Sequence, residues 1–231
     1  MIQILQNDPR VPAGIYGRYL REKDIPHRTL HLHAGQPLPA LTETSAVVVL
    51  GGYMGVHDEA DYPFLVPLKR FLGDAAEAGT PLLGICLGGQ LLAHVLGGEV
   101  RSRHRGEKGL HSIHLTADGQ TDPLFTGLPA TFTAFEWHND SFIVPPGALH
   151  LAASAGCHGQ AFRWRNVWGV QFHPEVDRDI VTAWSAKVDP EGCYAAEFAA
   201  HEAAHAAIAR RLLENFLDIC SHPCPIFRHS C

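Results

Sequence analysis

The chain has 231 residues, 46% of them hydrophobic and 18% charged, with a formal net charge of −6. That is enough apolar material for the core of one α/β domain, or at most two small ones. The acidic balance excludes a general electrostatic attraction to nucleic acid or to an anionic membrane. The one basic stretch, RSRHR at Arg101–Arg105, reads as a solvated turn rather than a docking patch. The opening MIQILQNDP has no secretion-type apolar run, and no stretch approaches the roughly 18 apolar residues of a membrane span. A cytoplasmic protein is therefore expected. Six cysteines make no disulfide framework in such a chain.

In chain order, IQIL (Ile2–Leu5) predicts a strand, followed by a helix near Gly14–Lys23. RTLHL (Arg28–Leu32) and SAVVVL (Ser45–Leu50) predict two more strands; the five successive apolar positions of the latter suit a strand covered on both faces. Pro63–Ala78 carries helical spacing, with Phe64, Leu65, Leu68, Phe71, Leu72 and Ala75 along one side. PLLGI (Pro81–Ile85) predicts a fourth strand and Gln90–Leu96 a helix stopped by Gly97 and Gly98. Strands separated by helix-length segments imply parallel βαβ units with right-handed crossovers. Beyond Gly98 come short strands, HSIHL, TFTAF, LHLAAS, QAFRW and VWGVQF, and then a long helix over about Pro190–Ile219. The expectation is an α/β fold, a mostly parallel central sheet flanked by helices with additional short antiparallel strands. Residues 1–219 would form one domain and 220–231 a tail.

Gly84-Ile85-Cys86-Leu87-Gly88 has the G-x-nucleophile-x-G form of an elbow between strand and helix. Flanking glycines let strand and helix approach without Cβ clashes, and the sulfur lands at the positive end of the helix. There the N–H of Leu87 points to where a tetrahedral oxyanion would form. The plain alternative is a core cysteine beside a glycine turn. A thiolate needs a base, and GVQFHPE (Gly169–Glu175) offers His173 at a strand end, kept extended by Pro174. Residues two apart in extended chain project to the same side, so Glu175 is placed to accept a hydrogen bond from His173 and set its tautomer. Here the alternative is a surface turn after a core strand. His138 competes as base, but no sequence neighbour supplies it a carboxylate as Glu175 does for His173.

Together GICLGGQ and GVQFHPE resemble the class I (triad-type) glutamine amidotransferases, which carry G-x-C-x-G-x-Q and H-P-E in corresponding places. VVVLGGYMGVHDEADYPFL (Val47–Leu65) is similar to the family's strand and GG loop, as found in stand-alone members related to the GMP synthetase glutaminase domain. FEWHNDSF (Phe135–Phe142) matches a W-H-x-D-x-F segment, and EKGL (Glu107–Leu110) sits where E-I-G is usual, with Lys108 in place of an aliphatic residue. The resemblance implies a flavodoxin-like fold, with Cys86 as nucleophile, His173 as proton carrier and Glu175 behind it. It implies an oxyanion hole from the N–H groups of Leu87 and Gly52, and substrate contacts at Gln90 and along the backbone around Trp137 and His138. The substrate would be glutamine or another γ-glutamyl small molecule, reacting through a γ-glutamyl thioester. No cofactor is expected. The ammonia would go to a separate synthetase subunit, or the chain would act alone on its own γ-glutamyl compound; a binding module with a silent triad is the third reading.

Two further patterns compete. HEAAH (His201–His205) is H-E-x-x-H on a predicted helix, the zinc-protease pattern, although no glycine turn and third histidine follow. Cys220, Cys224 and Cys231 interleave with His222 and His229 at the end of the chain, a set whose spacing matches no established metal site. No metal is expected at either, and no G-x-x-x-x-G-K phosphate cradle occurs.

Overall fold

A computed structural model describes residues 1–221. The first half runs β1 (Ile2–Gln6), α1 (Gly14–Glu22), β2 (His27–His31), β3 (Ala46–Val49), α2 (Leu65–Glu77), β4 (Leu82–Ile85), α3 (Leu87–Val95) and β5 (Val100–Arg101). The second runs β6 (Glu107–Leu115), α4 (Ala117–Thr121), β7 (Thr131–His138), β8 (Ser141–Phe142), β9 (Leu149–Ala153), β10 (Ala161–Trp164) and β11 (Val167–Val170), then α5 (Arg178–Ser185) and α6 (Cys193–Ser221).

Nine strands form one sheet in the order β2-β1-β3-β4-β11-β10-β9-β6-β7. The five from β2 to β11 are mutually parallel; from β11 outward every pairing is antiparallel. The central parallel strands β3, β4 and β11 are apolar throughout because both of their faces are covered, whereas edge strand β2 is polar and largely uncovered. Ile4, Val48, Leu83 and Ile85 pack with Tyr16 of α1, Val181 of α5 and Phe216 of α6. Their alternating neighbours Leu5, Val47, Val49 and Leu82 pack with Leu68 and Leu72 of α2 and Leu91 of α3. Each such side chain withdrawn from water contributes about 1.5–3 kcal/mol.

The expected architecture is present, with several local differences. The helix after Cys86 begins at Leu87 rather than Gln90, and the terminal helix spans Cys193–Ser221 rather than Pro190–Ile219. The VWGVQF strand stops at Val170, because Gln171 N donates to Gln160 O and His173 N to Phe135 O as the chain leaves the β4 edge. Arg101 of the RSRHR stretch pairs with Ser141 in a two-stranded ribbon, and residues 102–105 form the turn. α5 has no counterpart in the sequence reading.

In open α/β sheets ligands bind beyond the carboxyl ends of the parallel strands. The segments leaving β1, β3, β4 and β11 at those ends carry Arg10, Gly52, Cys86 and His173, all of which line one cavity. Among the described residues no helix is long and apolar enough to cross a membrane.

Candidate active site

Cys86 occupies the one position between β4 and α3, with φ 52° and ψ −110°. A non-glycine residue held there stores about 1–3 kcal/mol of strain, which the surroundings must impose. They do so through two backbone bonds: Cys86 N donates to Val170 O (2.8 Å), and Gln90 N to Cys86 O (2.9 Å). Close packing locks the elbow further. A Cβ on Gly88 would lie 2.1 Å from Val49 O, and one on Gly84 would lie 2.5 Å from Gly88 O. Only glycine permits that approach.

His173 arrives on the loop after β11, its N–H donating to Phe135 O at 2.8 Å. Its Nδ1 donates to Glu175 Oε1 at 2.8 Å, which leaves Nε2 as the free nitrogen of the ring. The Cys86 side chain lies near the imidazole and favours its charged form. Gly51 sits against both: a Cβ there would come 3.1 Å from His173 Cε1 and 3.6 Å from Cys86 Cβ. Burial pulls the histidine toward its neutral form, but Glu175 and Cys86 outweigh it and hold its pKa well above the ordinary value. Glu175 is fully buried, and α1 grips its backbone, with Ile15 N donating to Glu175 O at 2.7 Å. Trp184 of α5 closes the ring's flank, edge-on at 4.8 Å, and its Nε1–H donates to Arg10 O at 2.7 Å.

A cavity of about 360 Å³ opens over Cys86 and His173. Gly52, Gln90, Trp137 and His138 are among the residues that line it. Leu87, the first residue of α3, is buried and packs into the core, and it is not among the residues lining this space. Gln90 Nε2 donates to Asp140 O (3.0 Å) and Gln171 Oε1 (3.2 Å), bracing the far wall. Trp137 stacks on Phe135 at 5.9 Å, and Lys108 holds its ammonium 5.3 Å from the Trp137 ring. Arg10 is clamped by buried Asp8, Nε to Oδ1 at 2.9 Å and Nη2 to Oδ2 at 2.6 Å, and lies 4.0 Å over Tyr53. Burial works against charge on Asp8, yet Arg10 keeps its carboxyl below the usual range.

His138 needs a correction. Glu136, two residues before it, does for His138 what Glu175 does for His173, with Oε2 3.3 Å from Nε2, and the fold adds Glu107, with Oε2 at 3.5 Å. Burial lowers its pKa, and these two neighbours more than reverse that, pushing it up to about 10. The HEAAH pattern gathers no third ligand among the described residues. His201 is exposed and bonded to Glu197 O at 3.0 Å. His205 is buried against Phe198 and the Pro174 and Val176 carbonyls, behind the catalytic-type loop, and burial lowers it to about 4. Cys220 belongs to α6; His222, Cys224, His229 and Cys231 lie outside the described residues.

The sequence reading missed Trp184 and the Asp8–Arg10 clamp. A signal for the first existed: Asp177 caps α5 through Oδ1, and Ile180, Val181 and Trp184 follow at helical spacing.

A strained elbow and a buried histidine–carboxylate pair thus meet at the carboxyl edge of a parallel sheet on an α/β scaffold. The chain belongs to the class I glutamine amidotransferases: the family model of that description matches residues 18–179. A glutamine-hydrolyzing GMP synthase subunit from Sulfolobus acidocaldarius is 36% identical over 174 residues, 71% of this chain and 88% of that one. The glutamine-hydrolyzing GMP synthase of Thermomicrobium roseum is 46% identical over 101 residues, a match that spans 43% of this chain and 19% of its length. A glutamine amidotransferase of Thermotoga maritima, known from its crystal structure, superposes with a TM-score of 0.85 at 29% identity, covering 94% of this chain and 97% of that one.

Proposed function

We propose that the chain hydrolyses the side-chain amide of glutamine through a γ-glutamyl thioester on Cys86. His173 takes the thiol proton as sulfur attacks the amide carbon, and the carbonyl oxygen gains the negative charge. The N–H groups of Leu87 and Gly52 hold that oxyanion, which a preorganised pair of donors stabilises far better than water does. As the tetrahedral species collapses, the imidazolium returns the proton to nitrogen and ammonia leaves. Water, deprotonated by the same histidine, then attacks the thioester to release glutamate and the thiol. Glu175 fixes the tautomer and stabilises each imidazolium; Gln90 and the Trp137–His138 strip orient the substrate. Residues 1–219 would act as one catalytic unit.

The observation that carries this reading is the left-handed Cys86 facing an imidazole held by Glu175 at 2.8 Å. By analogy with the GMP synthase relatives, the ammonia would pass to a synthetase on a separate chain. Another reading has its own support: Arg10, Lys108 and Lys187 stand on the cavity wall, where they suit a larger, anionic leaving group on another γ-glutamyl compound. The test is covalent labelling with 6-diazo-5-oxo-norleucine, located by mass spectrometry, together with ammonia release from glutamine. Labelling at Cys86 that Cys86→Ser abolishes supports the thioester route, and labelling elsewhere sinks it. Faster turnover of γ-glutamyl-glutamate than of glutamine would favour the second reading.

A further inference from the structure

Behind the Trp137–His138 strip lies a set of buried polar groups that the proposed chemistry does not use. Glu107 and His138 face one another across the β6–β7 pairing, and Glu136, two residues before His138, projects to the same side of β7. Cys157, in the turn between β9 and β10, completes the set. Ligand atoms of Glu107, His138 and Cys157 all lie within 4.8 Å of one another, and all three residues are buried.

Three observations distinguish this set from a simple ion pair. The first is spacing. A charge-assisted N–H···O bond measures about 2.7–2.9 Å, whereas His138 Nε2 stands 3.3 Å and 3.5 Å from the two carboxylate oxygens. A tetrahedral cation with metal–ligand bonds of about 2.0–2.1 Å sets neighbouring N and O ligands about 3.3–3.4 Å apart.

The second is orphaned polarity. Glu136 is fully buried, and neither of its carboxylate oxygens has a hydrogen-bond partner among the described residues; the same holds for His138 Nε2. The His138 ring, 3.3 Å from Oε2, is the one ion-pair partner of this buried carboxylate among the described residues, and burial with so few partners is costly. The third is an outer shell already in place. His138 Nδ1 donates to Asp140 O at 2.9 Å, which turns Nε2 inward. Ser154 Oγ and Gln160 Nε2 each donate to one oxygen of Glu107 at 2.7 Å. Ligand-orienting partners of this kind accompany metal-bound histidines and carboxylates. The turn itself is built for close approach, since a Cβ on Gly156 would lie 2.7 Å from Glu107 Oε1.

We propose that Glu107, His138 and Cys157, with Glu136 drawn in from beside His138 as the fourth ligand, form a structural site for a divalent cation of the zinc class. Thiolate, imidazole and carboxylate together are the donors such an ion takes, and four protein ligands leave no open position for catalysis. In a closed tetrahedron the N···S separation would be about 3.6 Å. The ion would tie β6, β7 and the β9–β10 turn together directly behind one wall of the cavity. Without it, a proton on Nε2 fills the same place. The inference is independent of the thioester chemistry.

The test equilibrates the full chain with zinc, removes unbound metal by dialysis and counts bound zinc by mass spectrometry. About one equivalent is expected that depends on this set. Cys157→Ala and the isosteric Glu136→Gln should each lower affinity at least about tenfold. Cys86→Ser, His201→Ala and Cys224→Ser should retain that equivalent. Cobalt in place of zinc should give tetrahedral visible bands and a thiolate charge-transfer band, a readout on the unmodified protein that needs no variant to fold. Absence of bound zinc, absence of the thiolate band, or full retention of zinc in both Cys157→Ala and Glu136→Gln would overturn the site. So would loss of the metal in Cys86→Ser, His201→Ala or Cys224→Ser instead.

Discussion

Lowering the pH from 7 to 5 should cost the folded chain about 2 kcal/mol through one buried side chain, His205. The ring is 3% exposed, packs 5.0 Å from Phe198 and meets the backbone of the His173–Glu175 loop. Burial lowers its pKa from 6.5 to about 4; the Pro174 and Val176 carbonyls only partly offset this, and charge on His173 adds to it. In the unfolded chain the same ring takes its proton near pH 6.5. Between those two values the unfolded state holds more protons, so each step down in pH favours unfolding. The contribution is absent above about pH 7, reaches about 2 kcal/mol at pH 5 and levels off near 3 kcal/mol below pH 4, at about 1.4 kcal/mol for each pH unit. Urea denaturation at pH 7 and pH 5 measures the loss, for the native chain and for His205→Phe, which keeps a ring of similar size and cannot titrate. The acid-induced loss should be smaller in the variant by about 2 kcal/mol. Equal losses in the two proteins, within about 0.5 kcal/mol, would refute the assignment of a neutral, acid-sensitive His205.

Glu175→Gln keeps the shape but removes the charge behind His173, so kcat for ammonia release from glutamine should fall about 10²- to 10⁴-fold with KM little changed. A fall under about threefold would remove Glu175 from the proposed mechanism. Gly88→Ala drives a methyl group to 2.1 Å from Val49 O and should cost about 3 kcal/mol or more, seen as a melting point roughly 6–12 °C lower. Unchanged melting would mean that β3 and α3 are not so tightly apposed. Trp184→Phe removes the Nε1–H donated to Arg10 O and should cost about 1 kcal/mol in denaturant titration. A neutral result would show that Arg10 O finds water instead.

Much of this molecule is legible one residue at a time. The uninterrupted apolar run Ala46–Leu50 already requires a strand covered on both sides, because its alternate side chains must all leave water. The spacing G-x-C-x-G already requires a sharp strand-to-helix turn, because only glycine tolerates backbone where a Cβ would stand. His173 and Glu175 do meet, two residues apart, but across a turn at Pro174–Glu175 rather than along extended chain. These are short-range constraints of covalent geometry, and the order of residues alone expresses them.

Contacts between distant segments obey no such rule. Glu107 and Cys157 approach His138 only because strands and a turn from distant parts of the chain stack in one register, and nothing near His138 in the chain announces them; only Glu136, two residues away on the same strand, is legible locally. The HEAAH histidines look equivalent on a helical wheel, yet packing of α6 on the sheet buries one and leaves the other in water. Sequence thus determined the elbow, the histidine–carboxylate pair and the layered α/β plan, which follow from local sterics and apolar periodicity. Tertiary structure decided which ionisable groups lose their water and whose charge they face, because desolvation and Coulomb energy depend on distance in space rather than along the chain.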